Sequence, residues 1–296
     1  MMSIASGDGG ARTAAPGRPR EIETASNLYL VHPASRALVD LLVRTPVTPN
    51  QISMSSVVAA GAAAVAFVKL ANPWGAILGL AGQFVWHVLD GADGDLARRT
   101  GRASPAGELV DGVCDHISQA LIYIAFALIL QTSLGAWAWI AAAGAGFSHF
   151  LQANAYETGR KTYRRWVYDA PWMRQTGSGV SGPGAALGGL YVAVSRFLSP
   201  GESGVERAMA ARIGAGEASA SRARARYRER LAPLVKRSGL LGANMRSLAA
   251  ALSILVGRPL WFFLFELTAL NLALVIFTAL SARANRSLVL QLEAGA

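Results

Sequence analysis

The chain has 296 residues, of which 52% are hydrophobic and only 16% are charged, and its mean hydropathy is +0.33. This balance excludes an ordinary soluble domain of the same length and predicts a membrane protein. The formal net charge of +10 at pH 7 suits a protein that faces anionic lipid head groups. No basic motif interleaved with aromatic residues is present, so a nucleic-acid partner is not expected. The single cysteine, Cys114, excludes an intramolecular disulfide.

The first 44 residues are predicted to lie outside the membrane. Residues 1–22 are rich in Gly, Ala, Arg and Ser and contain no continuous apolar stretch, so we expect a flexible cytoplasmic tail and not a signal peptide. From residue 23 to Arg44 polar and apolar residues are mixed. That pattern favours a helix lying on the membrane surface.

Six later stretches are apolar and long enough, or nearly so, to cross a membrane, which takes about 20 residues. They cover residues 52–70, 73–92, 108–131, 134–156, 239–257 and 259–281. The predicted fold is therefore an all-α integral membrane protein with six transmembrane helices and an N-terminal interfacial helix. Residues 23–281 are expected to form one domain, followed by a cytoplasmic C-terminal tail over residues 282–296.

Basic residues orient these spans, because Lys and Arg are retained in cytoplasmic loops. Arg98, Arg99 and Arg102 follow the second span, and residues 159–238, after the fourth span, carry a large excess of Arg and Lys. The connections on the other side are short and almost uncharged. We therefore expect a multi-pass protein of the inner (cytoplasmic) membrane, with both termini and a basic insertion at 159–238 in the cytoplasm.

Four aspartates lie where the second span ends and the third begins. Asp90 and Asp93 are three residues apart, and Asp111 and Asp115 are four apart, so each pair lies on one face of a helix. Two antiparallel helices joined by a short loop direct all four carboxylates at one volume. Four such carboxylates repel one another unless cations neutralise them. All-oxygen ligation favours Mg²⁺, Mn²⁺ or Ca²⁺ over zinc or copper. A phosphate chemistry would use two Mg²⁺ or Mn²⁺ ions, which would clamp a diphosphate.

This spacing resembles the signature of the CDP-alcohol phosphotransferases, also called CDP-alcohol phosphatidyltransferases. The family pattern is Asp-x-x-Asp-Gly-x-x-Ala-Arg-x8-Gly-x3-Asp-x3-Asp. Its fixed positions are occupied here by Asp90, Asp93, Gly94, Ala97, Arg98, Gly107, Asp111 and Asp115. The six-span layout with a cytoplasmic site is also similar to the family, which extends the resemblance over most of residues 45–281.

The resemblance implies a role for each position of the motif. All four aspartates, Asp90, Asp93, Asp111 and Asp115, would be metal ligands, and Asp115 would also act as the catalytic base on the acceptor hydroxyl. The residues expected to bind the nucleotide are Asn50, Gln51, Ile52, Ser53, Gly94, Ala97, Arg98, Ser104 and Gly107. The first four belong to a stretch that equally fits a helix start, with Thr48 as the cap and Pro49 in the first turn.

The resemblance also implies the reaction: a substituted phosphate group moves from a CDP-linked donor to an alcohol, and CMP is released. The Ala/Arg-rich composition favours CDP-diacylglycerol as the donor. Residues 97–115 look closer to the choline/ethanolamine phosphotransferases, which use CDP-choline or CDP-ethanolamine with a lipid alcohol, so this alternative stays open. The expected partners are the donor, the alcohol acceptor and membrane lipids. Family members are often homodimers, which implies a homodimer here.

Other features of the sequence have competing interpretations. A divalent cation transporter is a remote alternative, which would explain the membrane aspartates but not Gly94, Ala97 and Arg98 at the family's positions. His87 and His149 lie inside predicted spans and are further candidates for the site. The basic residues that follow the fourth span are expected to fix topology, or alternatively to bind a phosphorylated acceptor; they are Arg160, Lys161, Arg164 and Arg165.

Overall fold

The structure, a computed structural model, describes residues 19–70, 72–170, 189 and 192–294. Within these ranges the chain is helical and contains no β-strand. The helices are α1 His32–Leu42, α2 Pro49–Lys69, α3 Trp74–Arg99, α4 Pro105–Leu134, α5 Ala136–Tyr168, α6 Glu202–Gly214, α7 Glu217–Arg237, α8 Ala243–Leu255 and α9 Leu260–Ala294. A π-helical segment, Asn27–Val31, leads into α1, and a second one, Phe265–Leu270, lies within α9.

Among the residues that the structure describes, three helices are long and apolar enough to cross a membrane: α2, α4 from Ala106 onward, and α9. The prediction of an all-α membrane protein is therefore confirmed. The other predicted spans correspond to α3, α5 and α8. Since α8 has 13 residues, it is about 20 Å long, which is shorter than a hydrocarbon core of about 30 Å. The number of six spans stays a prediction.

The starts of α2 and α4 are fixed by side-chain caps. Thr48 Oγ1 accepts a hydrogen bond from Gln51 N at 3.3 Å, and Gln51 Oε1 accepts one from Thr48 N at 2.8 Å. This reciprocal capping box, with Pro49 in the first turn, confirms the helix-start interpretation of the stretch. Ser104 caps α4 by accepting from Gly107 N at 3.1 Å. The starts of α2 and α4 lie beside the end of α3. We call this end of the helix bundle the site end.

An apolar core fills the opposite half of the bundle. Phe67 near the end of α2, Phe126 in the second half of α4 and Phe262 at the start of α9 are all buried. The ring centroids of Phe126 and Phe262 lie 4.5 Å apart. Four exposed tryptophans mark the same half, near the starts of α3, α5 and α9, where interfacial anchors are expected; they are Trp74, Trp137, Trp139 and Trp261.

A second helical layer covers the site end. Helices α5 and α9 continue past their predicted spans, and α6 and α7 pack against these extensions around a buried cluster that includes Tyr163, Met209 and Leu288. Along α7 the apolar residues Ala223, Tyr227 and Leu231 face this cluster. The intervening arginines point outward, where Arg226 donates to Gln291 O and Arg230 Nη2 donates to Ser287 Oγ.

Three of the predicted boundaries fall inside this layer. Residues 20–22, which were assigned to the expected tail at residues 1–22, form a 3-10 helix, and Ile22 is fully buried in the cluster. Residues 282–294, also expected to be a tail, are helical and contribute Leu288 and Leu292 to the cluster. The insertion expected from residue 159 begins inside α5. Residues 1–18, 71, 171–188, 190, 191, 295 and 296 lie outside the described residues.

The close approach of α2 and α3 depends on Gly79. A Cβ atom there would lie 2.2 Å from the ring of Phe67, which is buried against Phe126. We expect Gly79→Ala to destabilise the protein by about 1–3 kcal/mol through overpacking. Gly61→Ala on α2 is the matched control, because its Cβ would make an ordinary 3.8 Å contact with Leu121. Thermal unfolding in detergent checks this, and equal midpoints for the two variants would contradict it.

Candidate active site

A cavity of about 1260 Å³ lies at the site end. Its walls are the N-terminal segment, the starts of α2, α4 and α8, the end of α3 and the second half of α5. The four motif aspartates line it: Asp90, Asp93, Asp111 and Asp115. They meet there because α3 and α4 are antiparallel and are joined by a loop of only five residues, 100–104. The structure therefore brings together all four predicted metal ligands.

The carboxylates form one compact group. Asp90, Asp111 and Asp115 each place an oxygen atom within 4.8 Å of the others. The carboxyl group of Asp93 is in hydrogen-bonding contact with that of Asp111, and Asp90 is in the same contact with Asp115. Like charges at such distances are unfavourable without a cation.

The donor set fits a hard divalent cation. Every candidate ligand is a carboxylate oxygen, the type that Mg²⁺ and Mn²⁺ prefer. Asp115 Oδ1 is buried and has no hydrogen-bond partner among the described residues. An unpaired buried carboxylate oxygen is costly, and a cation would satisfy it. The residues present therefore fit the predicted metal.

Ser53 holds one of these carboxylates in place. Its Oγ donates to Asp93 Oδ2 at 2.5 Å, and Gly94 N donates to Asp93 Oδ1 at 2.5 Å. Ser53 was expected to contact the nucleotide. The structure places its side chain, which is 3% exposed, between α2 and α3, where it bonds the aspartate. Outer contacts of this kind orient metal ligands and raise metal affinity.

The residues expected to bind the nucleotide fall into two groups. Those that line the cavity are Asn50, Ser53, Gly94, Ala97, Arg98, Ser104 and Gly107. Gln51 and Ile52 do not line it. The side chain of Gln51 caps α2, and Ile52 is buried against Val39 and Leu96. Their predicted role is not supported by this placement, because neighbouring residues on a helix face different directions.

Arg98 lies at the rim of the cavity and forms an ion pair with Asp95. Asp95, at a free position of the motif, is thus the partner of the arginine and does not line the cavity. A Cβ on Gly94 would lie 3.4 Å from Arg98 Nη1. Glycine at position 94 therefore leaves room for the guanidinium group of Arg98. This is a reason for a glycine here in addition to the close approach of a nucleotide that the resemblance implies.

The second half of α5 supplies a basic wall facing the aspartates. Arg160 donates to Glu157 at 3.0 Å and to Glu23 at 2.5 Å, while Lys161 donates to Glu108 at 3.1 Å. The positive charges of Arg160 and Lys161 are therefore each paired with a carboxylate.

Arg164, one turn further along α5, is different. It forms no ion pair with any residue that the structure describes, and its buried Nε lacks a hydrogen-bond partner there. Burial, together with the positive charges of Arg160 and Arg98, lowers the pKa of its guanidinium group. Glu157 and Glu23 act on this pKa in the opposite direction, but neither is within ion-pair distance of Arg164, so this arginine is the member of the wall best placed to pair with an anionic group.

The N-terminal segment was missed as part of the site. Thr24, Asn27 and His32 line the cavity, whereas sequence reasoning placed this segment on the membrane surface. Glu23 is fully buried, and Asn244 at the start of α8 donates to Asn27 Oδ1 at 2.7 Å. The sequence signal was a pair of acidic residues, Glu21 and Glu23, directly after the basic residues Arg18 and Arg20.

The two histidines of the predicted spans, His87 and His149, also line the cavity. His87 Nε2 is hydrogen-bonded to Ser247 Oγ at 3.0 Å. His149 Nδ1 is hydrogen-bonded to the Tyr123 hydroxyl at 2.8 Å. Each therefore has one protein partner and faces the space that a substrate would occupy.

Fold and site together define an all-α membrane protein with an acidic, metal-compatible centre in a cavity at one end of its bundle. Residues 46–178 match the family model described as CDP-alcohol phosphatidyltransferase. The part of the chain that contains the four aspartates thus matches this family, as their spacing predicted.

Three curated relatives match part of this chain. Cholinephosphotransferase 1 of Gallus gallus is 41% identical over 58 residues, which is 20% of this chain and 17% of the relative. The bifunctional IPC transferase and DIPP synthase of Rubrobacter xylanophilus is 38% identical over 116 residues, which is 38% of this chain and 25% of the relative. Cholinephosphotransferase 1 of Xenopus laevis is 40% identical over 62 residues, which is 21% of this chain and 15% of the relative. The matches thus span a quarter or less of these relatives.

Replacing Ser53 tests how the carboxylates are held. We expect Ser53→Ala to weaken Mn²⁺ binding by about 10-fold or more, because Asp93 loses the hydroxyl that orients it. Ser56→Ala is the matched control, since Ser56 is also buried on α2 but donates to Ser53 O. Electron paramagnetic resonance titration of Mn²⁺ measures both variants. Equal affinities would show that the hydroxyl does not support the site.

Replacing Glu23 tests how the N-terminal segment is attached. Glu23→Gln removes the buried charge that faces Arg160, and we expect unfolding free energy to fall by about 1–3 kcal/mol. Glu217→Gln is the control, because Glu217 pairs with Arg224 at 3.4 Å and its side chain is 87% exposed, and exposed ion pairs contribute about 0–1 kcal/mol. Denaturation in detergent compares the two, and a Glu23 variant no weaker than its control would contradict the expectation.

Proposed function

We propose that this chain is a phospholipid-synthesis enzyme of the membrane. It transfers a substituted phosphate group from a CDP-linked donor, CDP-diacylglycerol, to an alcohol acceptor and releases CMP. The observation that carries the proposal is the convergence of four motif aspartates in a cavity whose opposite wall is basic. An acidic centre for cations beside a basic wall for anions suits a diphosphate substrate.

The aspartates would hold the cations of the reaction, two Mg²⁺ or Mn²⁺ ions. The four ligands would be Asp90, Asp93, Asp111 and Asp115. When bound, the ions offset the negative charge of the donor diphosphate. Asn50, Ser104 and Gly107 would contact the cytidine half of the donor. The three residues lie together on the cavity wall, because a Cβ added to Gly107 would be 3.3 Å from the Ser104 side chain and 3.7 Å from that of Asn50.

Asp115 is the proposed general base. Asp115 lines the cavity, and the oxygen of its carboxylate that does not hold a cation would take the proton of the acceptor hydroxyl. The hydroxyl oxygen forms a bond to the phosphorus that carries the donor's alcohol group. The bond from that phosphorus to the CMP oxygen breaks, and CMP leaves. Arg98 is placed to pair with a phosphate oxygen during the transfer.

The site end is proposed to face the cytoplasm, where CDP-linked substrates are available. Arg98, Arg99 and Arg102 lie at this end, as do the arginines of α7, and basic residues are retained on the cytoplasmic side. We accordingly propose a protein of the inner membrane. A homodimer is the proposed assembly, on the basis of the family resemblance.

A choline/ethanolamine phosphotransferase is the second candidate. It is favoured by the 41% identity to the Gallus gallus cholinephosphotransferase over 58 residues. In that case the donor would be CDP-choline or CDP-ethanolamine and the acceptor a lipid alcohol. The two candidates share the aspartate site and differ in which substrate carries the acyl chains.

The test is CMP release by the purified full-length protein in nanodiscs. CDP-diacylglycerol, CDP-choline and CDP-ethanolamine are each offered with a panel of alcohols, with Mg²⁺, Mn²⁺ or EDTA. We expect release from CDP-diacylglycerol that EDTA abolishes. Release from CDP-choline or CDP-ethanolamine alone would establish the second candidate. Metal flux into liposomes without CMP release from any donor would replace both with a transporter.

Replacing Asp115 tests the proposed base. We expect Asp115→Asn to lower CMP release by at least about 100-fold while Mn²⁺ binding is largely retained by the remaining aspartates. Asp40→Asn is the control, because Asp40 is exposed and pairs with Arg99. A turnover of Asp115→Asn near that of wild type would refute the assignment.

A further inference from the structure

The cavity continues beyond the aspartates toward the middle of the bundle. On α4 the lining residues Asp111, Asp115, Gln119 and Tyr123 follow one another at four-residue intervals, so they share one face. Each interval is about 6 Å along the helix axis. Gln119 therefore lies about one turn deeper than the proposed base, and Tyr123 about two turns deeper. A polar stripe at this depth is costly in a membrane and points to a function.

The deepest residue of this stripe, Tyr123, lies among buried polar groups. Tyr123 and His149 share a hydrogen bond of 2.8 Å. Arg246 Nε lies 3.0 Å from Glu266 Oε1, and Arg246 Nη2 donates to Gln152 Oε1 at 2.5 Å. Arg246 and Glu266 are 2% and 0% exposed. Both of these buried charges act on Tyr123, so they form a polar floor beside it.

Gln119 is the group left with open hydrogen-bonding capacity. Its side chain lines the cavity although the residue is only 9% exposed, and no residue that the structure describes hydrogen-bonds its amide. An amide carries two donors and an acceptor, and leaving them unpaired away from bulk water costs free energy. His149 also lines the cavity and uses only Nδ1 in its bond to Tyr123. Both groups are therefore free to bind a polar ligand.

We propose that Gln119 and His149 form a subsite for the additional hydroxyl groups of a polyhydroxylated acceptor. This inference rests on the proposed function, since it takes the reacting hydroxyl to lie at Asp115. Hydroxyl groups further along a polyol reach one helical turn deeper, to the amide of Gln119. A lipid alcohol would instead place apolar carbon atoms against the amide and the imidazole, and the open hydrogen-bonding positions of both groups would stay unpaired. The subsite thereby selects a polar alcohol as acceptor and leaves the acyl chains on the donor.

Gln119→Leu tests the subsite, because leucine has a similar size and no hydrogen-bonding group. With CDP-diacylglycerol as donor and glycerol or myo-inositol as acceptor, we expect the acceptor KM to rise about 5- to 10-fold, the loss of one or two hydrogen bonds. The donor KM should not change. Ser118→Ala is the matched control, since Ser118 is the adjacent residue of α4, is fully buried and does not line the cavity.

Direct binding of radiolabelled glycerol and myo-inositol to the protein in nanodiscs separates this inference from the proposed function. If no donor releases CMP but polyol binding is weaker in Gln119→Leu than in Ser118→Ala, the proposed function fails and the subsite stands. Equal polyol KM and equal binding in the two variants would overturn the subsite. The subsite would also be overturned if the wild-type protein used diacylglycerol as the acceptor and bound neither glycerol nor myo-inositol.

Discussion

The mutual repulsion of four carboxylates in one half-buried volume is the constraint on which the rest of the site depends. The helix caps at Thr48 and Ser104 start α2 and α4 beside the end of α3, which brings the carboxylates together. The Ser53 hydroxyl and the Gly94 amide then fix Asp93. Asp115 Oδ1 is left without a hydrogen-bond partner among the described residues. The remaining carboxylate oxygens can therefore bind cations, and Asp115 can in addition serve as a base.

The two halves of the bundle have different tasks. The half away from the aspartates is filled by aromatic and small apolar residues, which stabilise the helices against one another and exclude water. The site end contains polar groups that contact one another across long stretches of sequence, and the layer formed by α6 and α7 packs above it. This division lets a lipid-embedded bundle keep a polar cavity without losing its packed core.

The motif and most helices follow from local patterns, since helical periodicity alone puts Asp90 and Asp93, or Asp111 and Asp115, on one face. What the sequence could not supply are contacts between distant residues. The bonds from Ser53 to Asp93 and from Glu23 to Arg160 join residues 40 and 137 positions apart. Gln51 was assigned to the nucleotide because a linear motif does not tell which side chains a helix turns away from a cavity.

The most direct test of the central claim is the location of Mn²⁺ by anomalous scattering in crystals of the full-length protein grown with Mn²⁺ and CDP-diacylglycerol. The account predicts anomalous peaks between the carboxylates of Asp90, Asp111 and Asp115, with the donor diphosphate beside them. Manganese bound elsewhere in the protein, with none at these carboxylates, would contradict it.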